Sequence, residues 1–155
     1  MAIYEEKQGE FLLSTDKKLL NTDIIYQYLT VESYWAKNIP LHLVKQSIKG
    51  SLCVGLYHSN QLVGFARVIT DKSTFAYLAD VFILNEFRGK GLSKWMMAFI
   101  MKIPVLQNLR RWMLATKDAH GLYEQFGFTL PLKPERIMMF SDFTAYTPEK
   151  KSRKK

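Results

Sequence analysis

The sequence has few of the residues that build disulfide frameworks or metal centres. Its 155 residues include one cysteine, Cys53, and three histidines whose spacing is not that of metal ligands, so we expect neither a disulfide nor a metal site. No apolar run reaches the roughly 18 residues of a membrane-spanning helix, and residues 1–10 lack the charged-then-apolar pattern of a signal peptide. These absences favour a protein of the reducing cytoplasm that does not associate with membranes.

The net charge of +8 is concentrated at the end of the chain. Residues 150–155 carry five positive charges, and without them the net charge is +3. A basic end of this kind is usually solvated and disordered, so we predict a single domain over residues 1–147 and a disordered tail over residues 148–155. The aromatic residues lie in predicted core elements rather than beside basic residues, which argues against nucleic-acid binding.

The periodicity of the remaining chain predicts an α+β fold. Runs of β-forming residues between turns predict strands at 11–14, 51–57, 61–70, 74–84, 111–115, 128–130 and 136–140. Apolar residues at helical spacing predict helices at 24–29, 41–49, 92–103 and 119–126. This order indicates a mixed, mostly antiparallel sheet of six to seven strands with helices on both faces. The strands on either side of the third helix should form a parallel pair.

A glycine-rich turn joins the most apolar predicted strand to the third helix. It reads Arg-Gly-Lys-Gly-Leu-Ser over residues 88–93. The free N–H groups of a helix's first turn point at one spot, and the helix dipole favours negative charge there. Gly89 and Gly91 allow the backbone to come close to a ligand. The turn therefore predicts an anion site whose natural ligand is a phosphate or a pyrophosphate.

Two segments of the chain resemble the GNAT superfamily of N-acetyltransferases. The family's acetyl-CoA signature, Gln/Arg-x-x-Gly-x-Gly/Ala, is matched by Arg88 and Gly91, with the small residue Ser93 in its last place. A second signature, Ala-x-x-Leu-Tyr-x-x-x-Gly-Phe, is matched by Ala119, Leu122, Tyr123, Gly127 and Phe128. Thr116 stands where the family often has an asparagine. The resemblance covers residues 11–140, and it implies a GNAT-like fold.

The resemblance also implies how acetyl-CoA, the co-substrate, is held. Backbone N–H groups from Gly89 to Ser93 would bind the pyrophosphate, with Coulomb attraction from Arg88 and Lys90. The backbone of residues 81–83 would pair with the pantetheine arm between two splayed strands, as an added strand does. The implied cofactor-binding residues are Val81, Phe82, Ile83, Arg88, Gly89, Lys90, Gly91, Leu92, Ser93 and Thr116.

Two residues are candidates for the chemistry. The resemblance implies that Tyr123 is the general acid that protonates the departing thiolate, although its spacing also fits core packing. Asp80 is the only charge between residues 74 and 84. It is either a base or anchor for the acceptor's amine, or one half of a salt bridge to Arg67 or Arg111. His120 and water are the other possible bases.

The acceptor side is specified less closely. The resemblance places it near the first two helices, where Tyr28, Tyr34 and Trp35 could hold an aliphatic or cationic acceptor, or could cover the core. We predict an N-acetyltransferase that moves an acetyl group from acetyl-CoA directly to a primary amine of a small molecule, amino acid or peptide. The alternative is a non-catalytic acyl-CoA-binding sensor, which Tyr123 argues against. A homodimer through the last strands is compatible with the family.

Overall fold

The computed structural model describes residues 1–147, so the predicted basic tail lies outside the described residues. Six strands and four helices form the fold. The strands are β1 Glu5–Gln8, β2 Phe11–Ser14, β3 Leu52–His58, β4 Gln61–Thr70, β5 Phe75–Ile83 and β6 Arg111–Met113. The helices are α1 Thr22–Gln27, α2 Leu41–Lys49, α3 Leu92–Ile100 and α4 His120–Glu124.

The strands form one sheet in the order β1-β2-β3-β4-β5-β6. Neighbouring strands from β1 to β5 are antiparallel, because each is joined to the next by a turn or by the α1–α2 connection. Strand β6 follows the crossover helix α3 and pairs with β5 in parallel. The predicted mixed, mostly antiparallel sheet is confirmed, and residues 5–8 add an edge strand to it.

Helices cover both faces of the sheet. The cluster on one face contains Met96 and Ile100 of α3 and Tyr123 of α4. The cluster on the other face contains Ile25 of α1 and Val44 of α2. Among the described residues, no helix combines the length and apolar character needed to cross a membrane.

Helix α1 ends in a wide π-helical turn over Tyr28–Glu32. The N–H of Ser33 donates to the carbonyl of Tyr28 at 2.9 Å, and the Ser33 hydroxyl donates to the carbonyl of Leu29 at 2.6 Å. These bonds satisfy carbonyls that the end of a helix leaves free. The turn directs the following loop, which carries Tyr34 and Trp35, away from the helix axis.

A β-bulge interrupts the pairing of β4 with β5. Phe65 pairs with Phe82, whereas Arg67 pairs with Ala79, so β5 has one extra residue in this interval. Asp80 lies in the bulge with a φ of 54°, in the left-handed region, which aspartate adopts more readily than most residues. The bulge turns Asp80 toward the α1–α2 face and increases the local twist of the sheet.

The prediction of strands at 128–130 and 136–140 is wrong for the single chain. Within residues 1–147 no strand follows β6, and Pro134–Arg136 forms a short 3₁₀ helix. Pro131 and Pro134 have no N–H to donate to a neighbouring strand, and the chain leaves the edge of β6 at this point. Large apolar side chains after Phe128 are consequently exposed, namely Leu130, Leu132, Met138, Met139, Phe140 and Phe143.

Candidate functional site

A cleft opens where β5 and β6 separate. Only Phe75, Ala76 and Tyr77 of β5 pair with β6, at Arg111, Trp112 and Met113. Strand β5 continues to Ile83, whereas β6 ends at Met113. Beyond Tyr77, the edge of β5 that faces β6 therefore has no partner strand within the described residues. Its backbone N–H and C=O groups are available to a ligand with an extended, peptide-like arm.

The side chains of residues 81–83 pack into the core on either side of this edge. Val81 and Ile83 contact the α3–α4 cluster, and Phe82 belongs to the α1–α2 cluster. The three side chains fix the strand while its backbone faces the cleft. That these residues bind a ligand through their main-chain groups stays a prediction.

The glycine-rich turn lies at the carboxyl end of β5 and starts α3. Gly89 and Gly91 have φ values of 79° and 74°, and a Cβ at either position would meet nothing within 4 Å. The glycines are required by the backbone conformation rather than by space. In the described part of the chain, the N–H groups of residues 89–94 donate to no backbone carbonyl. They form a cluster of donors at the positive end of a nine-residue helix.

Three residues of the turn have different surroundings. Lys90 is exposed, so its charge is available to an anion. Leu92 is buried in the α3–α4 cluster and fixes the start of the helix. Ser93 is half-buried, and its hydroxyl does not cap α3, whose N-cap is Gly91.

The guanidinium of Arg88 contacts protein groups at the base of the turn. Its Nε donates to the carbonyl of Ile83 at 3.0 Å, and its Nη2 donates to the hydroxyl of Tyr28 at 2.9 Å. Arg88 thereby ties the end of β5 to the π-helical turn after α1. Its charge remains at the turn, but these two contacts direct the side chain toward the protein.

Tyr28 lies in the core below the cleft. Its ring stacks on Phe82 with a centroid separation of 3.9 Å and an interplanar angle of 10°. Burial raises the pKa of Tyr28, and the nearby Arg88 partly opposes this shift. Tyr28, Tyr34 and Trp35 are all predicted from the sequence to lie on the acceptor side. In the structure Tyr34 and Trp35 are exposed, whereas Tyr28 is buried.

Tyr34 and Trp35 lie at the mouth of the cleft. Their rings are 5.1 Å apart and nearly perpendicular, at 84°. The hydroxyl of Tyr34 accepts from the N–H of Lys117 at 3.0 Å, and Lys117 Nζ lies 5.5 Å from the centroid of the Tyr34 ring. The loop after α1 therefore reaches the turn before α4. No pattern in the sequence indicates Lys117, because the contact joins residues 83 positions apart.

Asp80 joins three parts of the site. Its Oδ2 accepts from Arg67 Nε at 2.8 Å, and its Oδ1 accepts from Trp35 Nε1 at 2.9 Å. Arg67 also donates to the Ser51 hydroxyl at 3.0 Å. The side chains of Arg67 and Asp80 are only 15% and 9% exposed. Of the two salt-bridge partners considered for Asp80, the structure contains Arg67.

Tyr123 is buried in α4 on the α3–α4 face of the sheet. Burial, together with the nearby Tyr34 and Asp118, raises the pKa of Tyr123 to about 12. The phenol therefore keeps its proton at neutral pH and can act as a hydrogen-bond donor. The carbonyl of Tyr123 accepts from the N–H of Phe128 at 3.3 Å, which closes the end of the helix.

Thr116 fixes the approach to α4. Its Oγ1 accepts from the N–H of Ala119 at 3.0 Å, so the hydroxyl oxygen has a local role as well as any contact with a ligand. His120, the first residue of α4, is exposed. Among the described residues, no group of His, Cys, Asp or Glu side chains is arranged to hold a metal ion.

The chain is similar to acetyltransferases in sequence and in structure. The model of the "Acetyltransferase (GNAT) family" matches residues 22–128. A Gibberella zeae protein named "Putative acetyltransferase FG08082" is 34% identical, over 83% of this chain and 82% of that protein. A crystal structure from Xanthomonas campestris pv. campestris, described as belonging to the GNAT family, is 49% identical with a TM-score of 0.86. That similarity covers 88% of this chain and 96% of the other.

A more distant relative shares the fold alone. A GNAT family acetyltransferase from Elizabethkingia anophelis is 12% identical with a TM-score of 0.55, over 84% of this chain and 76% of that one. Its crystal structure contains acetyl-CoA.

We expect the replacement Arg67→Met to lower the free energy of unfolding by about 3 kcal/mol, because it leaves the buried Asp80 carboxylate without its cation. The double replacement Arg67→Met with Asp80→Asn should recover at least about 1 kcal/mol, since it removes the unpaired charge. Urea denaturation of the unmodified protein, Arg67→Met, Asp80→Asn and the double variant measures both differences and whether the two effects are additive.

The control is Arg110→Met, which removes the same charge from an exposed position and should change stability by less than about 0.5 kcal/mol. Equal effects of Arg67→Met and Arg110→Met, or strictly additive effects of the two site replacements, would contradict the structural role of the pair.

Proposed function

Because the chain belongs to the acetyltransferase (GNAT) family and is an acyltransferase, we propose that it moves an acetyl group from acetyl-CoA directly to a primary amine of a small molecule, amino acid or peptide. One observation carries the proposal. The unpaired edge of β5 leads into a turn of free N–H groups, and the protonated phenol of Tyr123 belongs to the helix that follows the separated strand β6.

The residues at the cleft fit acetyl-CoA. The N–H groups of residues 89–93 suit its pyrophosphate, and the open space at Gly89 and Gly91 allows close approach. Lys90 adds an exposed positive charge, while Arg88 supports the turn from below. The backbone of residues 81–83 offers donors and acceptors to the amide groups of the pantetheine arm. Thr116 lies in the connection between β6 and α4, where in this proposal it borders the bound co-substrate.

The reaction forms a bond between the amine nitrogen and the acetyl carbon and breaks the bond from that carbon to sulfur. The amine loses one proton, and the sulfur gains one. Negative charge develops first on the carbonyl oxygen and then on the sulfur. Hydrogen-bond donors fixed near both atoms therefore lower the activation barrier of the acetyl transfer. The bulge at Asp80 lies on the part of β5 that has no partner on the β6 side within the described residues, and in this proposal its main-chain N–H groups are the donors to the carbonyl oxygen.

Tyr123 acts on the departing sulfur in this proposal. Its pKa of about 12 lies above the roughly 8.5 of an ordinary thiol, so complete transfer of the phenolic proton to the thiolate is uphill. The phenol therefore stabilises the developing thiolate by donating a hydrogen bond. The proton that the sulfur finally holds is the one that the amine releases, so the phenol keeps its own.

Asp80 positions the site and does not serve as the base. Its two oxygens are held by Arg67 and Trp35, and the guanidinium balances its charge. The carboxylate keeps the bulge in its left-handed conformation and holds Trp35 against the acceptor side. Removal of the amine proton is left to water or to the exposed His120.

The acceptor binds at the mouth of the cleft, against the exposed rings of Tyr34 and Trp35. Aromatic faces of this kind suit an aliphatic or cationic amine. Tyr28 contributes by stacking under Phe82 and holding Arg88, which fixes the floor of the site. The proposed partner is an amine acceptor, and a homodimer and a cytoplasmic setting are parts of the same proposal.

Thiol release from acetyl-CoA, measured with a panel of small amines, amino acids and peptides, tests this function. We expect turnover with at least one primary amine and the acetylated amine as the product by mass spectrometry. Tight binding of acetyl-CoA without turnover on any amine would instead support a non-catalytic acyl-CoA sensor.

Replacing Tyr123 by phenylalanine should lower kcat by roughly 10²–10⁴-fold and leave the affinity for acetyl-CoA nearly unchanged, because only the hydroxyl is removed. Tyr4→Phe, beside the opposite edge of the sheet, is the control and should have the activity of the unmodified protein. An unchanged kcat in Tyr123→Phe would exclude the phenol from the mechanism.

We expect Gly91→Ala to weaken coenzyme A binding about tenfold, since an L side chain resists the left-handed φ and displaces the N–H groups of the turn. Gly9→Ala is a matched control: Gly9 has a φ of 59° in the β1–β2 turn and equally open surroundings. Both variants should lose about 1 kcal/mol of stability, but only Gly91→Ala should change the Kd in titration calorimetry. Similar Kd values for both would refute the role of the turn.

A further inference from the structure

The arginine of the glycine-rich turn has two hydrogen-bond acceptors, and both belong to the protein. Arg88 Nε donates to the carbonyl of Ile83 at 3.0 Å, and its Nη2 donates to the hydroxyl of Tyr28 at 2.9 Å. A guanidinium is a planar fork whose donors point in fixed directions. Because these two donors are engaged by the protein, the fork is aimed away from the anion site. The exposed Lys90 and the N–H groups of the turn remain for an anion.

Tyr28 transmits this contact to the loop after α1. It is the first residue of the π-helical turn Tyr28–Glu32, and its carbonyl accepts from the N–H of Ser33 at 2.9 Å. The hydroxyl oxygen of Ser33 accepts in turn from the N–H of Ala36 at 3.1 Å. The main chain of the loop is therefore built on Tyr28, while the side chain of Tyr28 is held by the guanidinium.

The ring of Tyr28 also lies beside the aromatic side chains proposed to bind the amine. It stacks on Phe82, and its centroid is 6.4 Å from that of Trp35. Stacking alone lets two rings slide along each other, because dispersion has little directional preference. The hydrogen bond from Arg88 fixes the end of the Tyr28 ring and removes that freedom.

The loop after α1 is thereby attached to β5 at two places. Trp35 donates to Asp80 in the bulge at 2.9 Å, and Tyr28 accepts from Arg88, just beyond the end of the strand. Two attachments define the orientation of a segment, whereas a single one would let it pivot. Without the second attachment, the position of the exposed Tyr34 and Trp35 rings would be less closely defined.

We infer that Arg88 is a positioning residue for the amine acceptor and not a ligand of the pyrophosphate. Through Tyr28 it holds the loop after α1 at the mouth of the cleft, where the amine binds in the proposed acetyl transfer. This role rests on that proposed function, and it assigns the first residue of the glycine-rich turn to the second substrate. A lysine at this position would keep the charge, but a single ammonium group does not reproduce the fork.

The replacement Tyr28→Phe tests this role, because it keeps the ring and removes only the hydroxyl that Arg88 contacts. At saturating acetyl-CoA, we expect the KM of the amine to rise about tenfold, with changes below about twofold in kcat and in the Kd of coenzyme A. Arg88→Lys should have the same effect, since it retains the charge and loses the fork. In the double variant the KM should rise no further, because both replacements break the same bond.

Two control variants separate positioning from anion binding. Tyr26→Phe removes the hydroxyl of a half-buried tyrosine on the same helix and should leave the KM of the amine unchanged. Lys90→Gln removes an exposed charge from the turn and should raise the Kd of coenzyme A in titration calorimetry. If Arg88→Gln raised this Kd as much as Lys90→Gln does and left the KM of the amine unchanged, Arg88 would be a ligand of the anion and the inference would be overturned.

Hydrogen exchange of the protein without ligands tests the positioning independently of activity. The N–H groups of Ser33, Ala36 and Asn38 are hydrogen-bonded within the turn and loop. In Tyr28→Phe and Arg88→Lys they should exchange at least about fivefold faster, while α2 keeps its exchange rate. Equal rates in the unmodified protein and both variants would overturn the inference. If these rates rise but no amine is acetylated, Arg88 positions the loop and the proposed acetyl transfer fails.

Discussion

The ion pair between Arg67 and Asp80 is the interaction on which the candidate site depends. The ion pair connects β4 to the bulge of β5. The same carboxylate also accepts a hydrogen bond from Trp35 in the loop after α1. The bulge sets the orientation of the middle of β5. At this level of the sheet, β6 on the opposite edge of β5 has already ended. One charged contact thereby fixes both the strand edge proposed to bind the co-substrate and the aromatic side chains proposed to bind the amine. Below it, Arg88 and Tyr28 join the glycine turn to the same loop.

Features set by nearby residues could be predicted from the sequence. The strands β2 to β6, the helices and the glycine turn follow from alternation, helical spacing and capping within short windows. The conformation of Gly89 and Gly91 is likewise local, because the φ values are ones that glycine adopts freely. The pairing of Asp80 with Arg67 was foreseen as one of two alternatives, since a lone carboxylate in an apolar strand requires a cation.

Features set by contacts between distant segments could not be predicted. Tyr28 and Tyr34 are only six positions apart, yet Tyr28 is in the core and Tyr34 lies at the mouth of the cleft. Their positions depend on the π-helical turn and on Lys117. The residues from Ile137 to Phe140 have strand composition, but composition does not specify the partner, and β6 of the same chain does not pair with them.

The bulge makes position 80 unusually selective. The left-handed φ admits glycine, asparagine and aspartate at low cost, and the guanidinium of Arg67 requires a negatively charged side chain. Only aspartate belongs to both groups, because glutamate lacks the short side chain that tolerates this backbone. In a saturation library, position 80 should therefore accept the fewest residue types of any site in β5. The neighbouring positions, Ala79 and Val81, are constrained only by packing. They should therefore accept more residue types than position 80.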